Sequence, residues 1–304
     1  MKKTVLILSS LLCLAACNKN LSPELTPAGE NDVIVFGVEG VAVDMATKAV
    51  IESTAAQLQT NGFNVAGVTS NNATIFNAKA TWVAQKSYYT TATPYYYPVS
   101  GTTNFYAVYP TSQAVSISAG VATVEYTNDN NTDLVAAKAT GVSKPATATS
   151  VALAFDHILS QVSITAKGKT EGLDYAIKSI KITSPASGTY KYADNSWTLG
   201  ATSSVVYHAT ETTVGTEATA IGVAQTKIPS SVTITVEYDV LQGGVVLASY
   251  AGAAAKTSSA VSVAQGKKST INLTLPYSSA DDAQITFTVT VNPWGEESHD
   301  VELQ

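Results

Sequence analysis

Val232-Thr-Ile-Thr-Val-Glu-Tyr238 puts apolar side chains at even positions and polar ones at odd positions. Side chains of an extended strand point to alternate faces, so this run has one face for a core and one for water. Thr270-Ile-Asn-Leu-Thr-Leu275 and Ile285-Thr-Phe-Thr-Val-Thr-Val291 keep the same period. Runs of this kind are half-buried antiparallel strands. Outward from them, the sequence predicts strands over 63–68, 74–84, 103–109, 121–126, 133–137, 151–156, 161–166, 176–183 and 219–224. Asn128-Asp-Asn-Asn131, Asp194-Asn195 and Gln242-Gly-Gly244 supply turns between them. Only Glu52–Leu58 reads as helix. Many short strands punctuated by Gly, Asn and Pro predict an all-β chain of sandwiches or barrels.

Ala139–Ser150 is small, polar and Pro-containing, and it separates strand candidates on either side. A boundary there predicts one β-sandwich over residues 32–147 and a second over 148–304. No repeat of propeller or solenoid period is visible.

The amino terminus reads differently. Lys2-Lys3 precede an apolar run from Val5 to Ala16, which closes on Leu14-Ala-Ala-Cys17. A basic start, a short apolar stretch and small residues make residues 1–16 a secretory signal peptide. The run is too short to span a bilayer. The Leu-Ala-Ala-Cys junction resembles the bacterial lipobox, in which the cysteine thiol takes a diacylglycerol. Each buried acyl CH₂ is worth about 0.8 kcal/mol, and firm anchoring needs more than one chain. Residues 17–31 then form a polar, lipidated spacer, up to roughly 45 Å long when extended. Asn18, where an aspartate would signal inner-membrane retention, favours the outer membrane.

Composition narrows the chemistry. Cys13 falls in the leader, so lipidation of Cys17 leaves no thiol for a disulfide, a metal or a nucleophile. Charged residues are 13% of the chain, about half the usual share. The net charge of −6 offers no basic patch and argues against nucleic acid as a partner. All 17 basic residues are lysine; arginine, the usual reader of carboxylates and phosphates, is missing.

His157, His208 and His299 are far apart and lack metal-site spacing. Asp156-His157 beside Ser160 could suggest a hydrolase, but no nucleophile-elbow pattern surrounds it, and a strand-end histidine is the simpler reading. Asn128-Asp-Asn-Asn-Thr-Asp133 is oxygen-rich, yet it lacks the glycine and terminal glutamate of a calcium loop, so it reads as a turn. The aromatic runs Tyr88-Tyr89, Tyr95-Tyr96-Tyr97, Phe105-Tyr106 and Tyr109 have two readings. They could form a stacking platform for glycans or host ligands, or be strand residues with apolar bodies and wet hydroxyls. No enzyme, cofactor or metal is expected from this inventory.

The order of motifs resembles the fimbrillin family, the lipoprotein-derived subunits of type V pili on Bacteroidetes surfaces. Ala46-Thr-Lys-Ala49 followed by Leu58-Gln-Thr-Asn-Gly-Phe-Asn-Val65 is similar to its T-R-A…L-x-T-x-G-F-x-V stretch. Phe105-Tyr-Ala-Val-Tyr-Pro110 is similar to its F-x-A-Y-Y-P strand. Asp133-Leu-Val-Ala136 and Leu153-Ala-Phe-Asp-His-Ile-Leu-Ser-Gln-Val-Ser-Ile164 resemble the segments that open its second domain, and Val289-Thr-Val-Asn-Pro-Trp294 resembles its closing strand.

The resemblance implies two transthyretin-like β-sandwich domains, export as a lipoprotein of the outer membrane, and assembly with other fimbrial subunits at the cell surface. In polymerising members an arginine-specific protease removes the first strand, and the C-terminal strand of another subunit fills the groove. By that resemblance the displaced strand is Val33, Ile34, Val35, Phe36 and Val38, within an apolar stretch reaching Val43. Processing falls at Lys48 and Ala49, and the donor residues are Ile285, Phe287, Val289 and Val291. In an uncleaved precursor both segments would be ordinary strands of their own domains. Lys48 stands where the family has arginine. Either a lysine-tolerant protease cuts there, or the strand stays and the chain is an anchor or accessory subunit. The expected function is therefore a structural pilin assembling by strand exchange and supporting adhesion. The alternative is a tip or accessory adhesin, or a glycan-binding surface lipoprotein, that does not polymerise.

Overall fold

A computed structural model describes residues 32–39, 54–277 and 285–294. The expected signal peptide, Cys17 with its expected spacer, and the Lys48–Ala49 junction lie outside the described residues. The chain opens with β1 (Phe36–Glu39), α1 (Ala55–Asn61), β2 (Phe63–Thr69), β3 (Thr74–Val83), β4 (Tyr88–Thr91) and β5 (Thr102–Tyr109). Next come β6 (Ser116–Ser118), β7 (Val121–Thr127), β8 (Val135–Ser143), β9 (Val151–Ala154), β10 (Asp156–His157) and β11 (Ser160–Gly168). There follow β12 (Asp174–Pro185), β13 (Ser187–Lys191), β14 (Ser196–Leu199), β15 (Thr202–His208), β16 (Thr212–Val214) and β17 (Thr219–Lys227). The last are β18 (Ser230–Gln242), β19 (Val245–Tyr250), β20 (Lys256–Thr257), β21 (Val261–Val263), β22 (Lys267–Leu275) and β23 (Thr286–Pro293). The all-β reading is correct.

Helix α1 starts where its cap dictates. The Thr54 hydroxyl accepts the Gln57 N–H at 3.2 Å, and the Gln57 side chain accepts the Thr54 N–H at 2.9 Å, a reciprocal capping box. It stops at Gly62, whose φ of +71° only glycine adopts freely and whose N–H reaches the Leu58 carbonyl at 2.7 Å. The helix therefore lies a few residues later than its apolar spacing suggests.

The first sheet has eight strands in the order β10-β8-β5-β2-β3-β4-β1-β9. Its two edges, β9 and β10, are separated in the chain by Phe155 alone, and β9 comes against β8, so the sheet curls round on itself. Inward-facing Phe36, Phe63, Phe105, Val135, Leu153 and Phe155 fill it. Residues 151–157 belong to this sheet because Val151, Leu153 and Phe155 alternate into its core. It thus runs past residue 147, and β8 runs through the first part of the small, polar Ala139–Ser150 stretch.

Two further sheets, β17-β11-β22-β23 and β15-β12-β18-β19, face each other across a second core, with β16 added on β12 and β20 and β21 added on β18. The alternation that opened the sequence reading is realised here: Val232, Ile234, Val236, Tyr238 and Val240 are all fully buried. Tyr207 ties the sheets at one side, its hydroxyl accepting the Ile164 N–H at 3.1 Å. A fourth sheet, β14-β13-β7-β6, joins strands from the two halves of the chain, pairing Tyr190 with Val124 and Gly188 with Tyr126. Under it lies a third core that includes Val124, Leu134, Ile158, Tyr192, Ile228 and Trp294.

Candidate functional site

The candidate displaced segment sits between two partners. Ile34 and Phe36 point inward and are 1% and 0% exposed, Val38 packs against the same core, and Val33 and Val35 are half-buried. The backbone is hydrogen-bonded on both sides. The Ile34 N–H donates to Tyr95 O at 2.8 Å, the Asp32 carbonyl accepts Tyr97 N–H at 3.2 Å, and Phe36 is opposite Tyr89 of β4. On the other side β1 runs parallel to β9, pairing Phe36, Gly37, Val38 and Glu39 with Val151, Ala152, Leu153 and Ala154. The Phe36 ring lies 6.2, 6.4 and 5.5 Å from the rings of Phe63, Phe76 and Phe105. Lys144 pairs with Asp32 at 2.7 Å where the segment begins. Without β1, both β4 and β9 would carry unpaired backbone groups, and an aromatic-lined trough would face water. Such an edge is a template for another strand.

Strand β23 has the opposite character. Among the described residues it lies at a sheet edge and pairs with β22 alone, Leu273 opposite Phe287 and Ile271 opposite Val289. Ile285 is buried and Val289 packs on the second core, but Val291 is 50% exposed, so the candidate donor face is wet at its C-terminal end. The side chain of Phe287 lies outside the described residues.

Just beyond β23, Trp294 anchors the strand end. It is buried, its backbone N–H donates to Gly266 O at 3.0 Å, and its ring stacks on His157 at 4.5 Å and 7°. His157 Nδ1 is 2.9 Å from Asp133 Oδ2, with both side chains buried. Three of the family-like segments thus deliver Asp133, His157 and Trp294 to one junction. The grouping of His157 with Asp156 and Ser160, which the sequence disfavours, is not formed. Asp156 is exposed, and the Ser160 hydroxyl donates to the Ala264 carbonyl, so this is no nucleophile and base.

The oxygen-rich loop at 128–133 spends several of its oxygens on its own backbone. Asp129 accepts the N–H groups of Asn131 and Thr132 and the Thr132 hydroxyl. Burial pushes its carboxyl up, but these hydrogen bonds outweigh that and hold it below the usual range. The cation found beside the loop is Lys227, which sequence reasoning missed because it ends an otherwise ordinary strand. It is fully buried and donates to Asn130 Oδ1 at 2.5 Å and Gln225 Oε1 at 2.8 Å. Burial pulls its ammonium down to about 8.

The tyrosines divide unevenly. Tyr89, Tyr97, Phe105 and Tyr109 are core residues, with Tyr89 pushed up to about 12 by burial, and Tyr96 is the exposed member at 44%. A continuous stacking platform is not formed by these residues. Among the described residues, no group of three or more His, Cys, Asp or Glu is arranged to hold a metal ion, and no helix is long and apolar enough to cross a membrane.

Comparison with known proteins gives the family. No curated protein matches the chain in sequence. In fold it is similar to a fimbrial protein from Bacteroides vulgatus, with 16% identity, a TM-score of 0.61, and coverage of 87% of this chain and 100% of that one. A protein named for cell adhesion from Bacteroides uniformis also aligns, at 17% identity and a TM-score of 0.47, over 88% of this chain and 100% of that one. The fimbrillin-like family profile matches residues 42–294, and the chain belongs to that family.

Proposed function

We propose that the chain is a structural subunit of type V fimbriae, anchored in the outer membrane through Cys17 and assembled by exchange of β-strands. In this reading it is built of two transthyretin-like domains that meet just after His157 and share the β14-β13-β7-β6 sheet. It performs no catalysis and needs no cofactor. The reading rests above all on β1, a short segment hydrogen-bonded on both edges, with Phe36 filling an aromatic box that only another strand could refill. Loss of β1 exposes backbone donors, acceptors and core side chains, and an added strand satisfies them all. Burying Ile34 and Phe36, or equivalents, contributes about 1.5–3 kcal/mol each before ordering costs. Processing after Lys48 would free β1 by a protease that accepts lysine. The adhesin alternative draws on the same family, but the largely buried tyrosines give it no ligand platform in the first sheet.

The test is electrophoresis of the protein from cell envelopes, kept unboiled in detergent. A ladder of multimers that collapses on boiling is expected. A single monomer band from surface-exposed protein would leave the chain as a binder that does not polymerise.

A further inference from the structure

Lys227 is a buried cation without an anion. Its side chain is fully buried, and among the described residues no carboxylate pairs with it. Its two partners are the carboxamide oxygens of Asn130 and Gln225. An ammonium buried against neutral groups is costly, and burial favours the free amine, which is the nucleophilic form. The contact with Asn130 Oδ1, at 2.5 Å, is shorter than an ordinary N–H···O bond. The Asn130 Cγ is one C=O bond further on, so it lies within about 3.7 Å of the amine. Reacting atoms in a productive pose stand roughly 3–3.5 Å apart.

Asn130 is held in this place through its backbone as well. Its φ of +68° lies in the left-handed region, and its N–H donates to Asn128 Oδ1 at 3.0 Å. Its carbonyl accepts the Thr226 N–H at 2.9 Å, one residue from the lysine. Gln225 has another part. It accepts from Nζ at 2.8 Å while its own amide donates to the Val206 carbonyl at 3.3 Å, so it fixes the direction of the amine as a positioning residue. The contact joins the loop at 128–133, in the first half of the chain, to β17 in the second. The two cysteines, Cys13 and Cys17, both precede the described residues, so no disulfide can link these halves.

We infer that Lys227 and Asn130 join in an intramolecular isopeptide bond, a covalent staple between the two halves. The Nζ lone pair forms a bond to Asn130 Cγ and the Cγ–Nδ2 bond breaks. The Nδ2 nitrogen leaves as ammonia, taking one proton from Nζ. One amide replaces another, so no oxidant, cofactor or second protein is required. Contact between amine and carboxamide supplies the effective molarity that the reaction needs. With no carboxylate at hand to carry the proton, the reaction is slow. A newly folded chain keeps the free, titrating amine, and a matured chain holds an amide that does not titrate. The bond encloses residues 130–227, so tension on one half reaches the other through a covalent link besides the mixed sheet. Strand exchange is not a premise of this inference.

Peptide mass mapping of the full chain recovered from cells tests it. Trypsin cuts after lysine, so an unlinked chain yields Ser87–Lys138, Tyr192–Lys227 and Ile228–Lys256 as separate peptides. The bond blocks cleavage at Lys227. It is expected to give one species joining Ser87–Lys138 to Tyr192–Lys256, lighter than their sum by one ammonia. That species should replace the separate peptides as folded chain is incubated, faster up to about pH 8 and level above it, since burial pulls the amine down to that value. Asn130→Ala, with its fold checked by circular dichroism, should form none. Separate Ser87–Lys138 and Tyr192–Lys227 peptides that persist undiminished after long incubation at alkaline pH overturn the inference. So does loss of ammonia confined to Tyr192–Lys256, which places the bond at Gln225, or conversion of Asn130 to aspartate without a link, which means that water attacked instead. Each of these outcomes leaves the pilin reading untouched.

Discussion

Phe36 is the residue on which the account turns, because it reaches three other aromatic rings from a strand of four residues. Phe36→Ala leaves a cavity that neighbouring rings fill only partly, and it is expected to cost about 3–5 kcal/mol in urea unfolding. Val35→Ala, on the half-buried face of the same segment, should cost clearly less; equal losses would mean the box is not the anchor. Lys227 makes a prediction of another kind. Its folded-state value is depressed towards about 8 by burial, so between that value and its ordinary one near 10.5 the unfolded chain binds more protons. Stability carried by this residue therefore rises with pH through that window, by up to about 1.4 kcal/mol per pH unit, and is lowest below it. Lys227→Met should remove the rise. Stability-against-pH curves that stay parallel for the two proteins would show that the amine titrates normally.

At the level of elements, strands were legible wherever one face meets a core and the other meets water. Val232–Tyr238 and Thr270–Leu275 show this in β18 and β22: every apolar residue within those two stretches is buried. Strands whose contacts come from the other half of the chain were not legible. β13 pairs with β14 on one side and on the other with β7, sixty or more residues upstream, and no local period records such a partner. The second part of β8, Ala139–Ser143, looked like a linker because none of its side chains is buried and its partner β5 lies far upstream in the chain. For the same reason Asp133, His157 and Trp294 could be quoted as separate motifs without being seen as one junction. That junction yields a test. Trp294→Ala removes the stack on His157 and the burial that holds the end of β23. Amide exchange over residues 286–293 should accelerate by about tenfold or more, with β12 and β18 unchanged. Uniform acceleration across the second core would mean Trp294 stabilises the whole fold and not the strand end.

The whole molecule is held together by its mixed sheet. β7 lies before residue 147 and β13 after it, the Asn128 N–H donates to the Ala186 carbonyl at 2.9 Å, and the Trp197 indole donates to the Ile158 carbonyl at 2.9 Å. With a shared sheet and a shared core, the two halves should unfold as one. Tryptophan fluorescence and far-UV circular dichroism are expected to give coincident urea transitions, and two separated transitions would contradict that coupling. On the strand-exchange proposal, two halves joined by a sheet and carrying one replaceable strand make a suitable building block for a fibre, since strain on one subunit would pass to the next through backbone ladders. The decisive measurement is the amino-terminal sequence of the subunit recovered from detergent-stable multimers. It is expected to begin at Ala49, with β1 gone from every assembled copy. A lipid-blocked Cys17, with residues 32–39 still attached throughout the multimers, would contradict it.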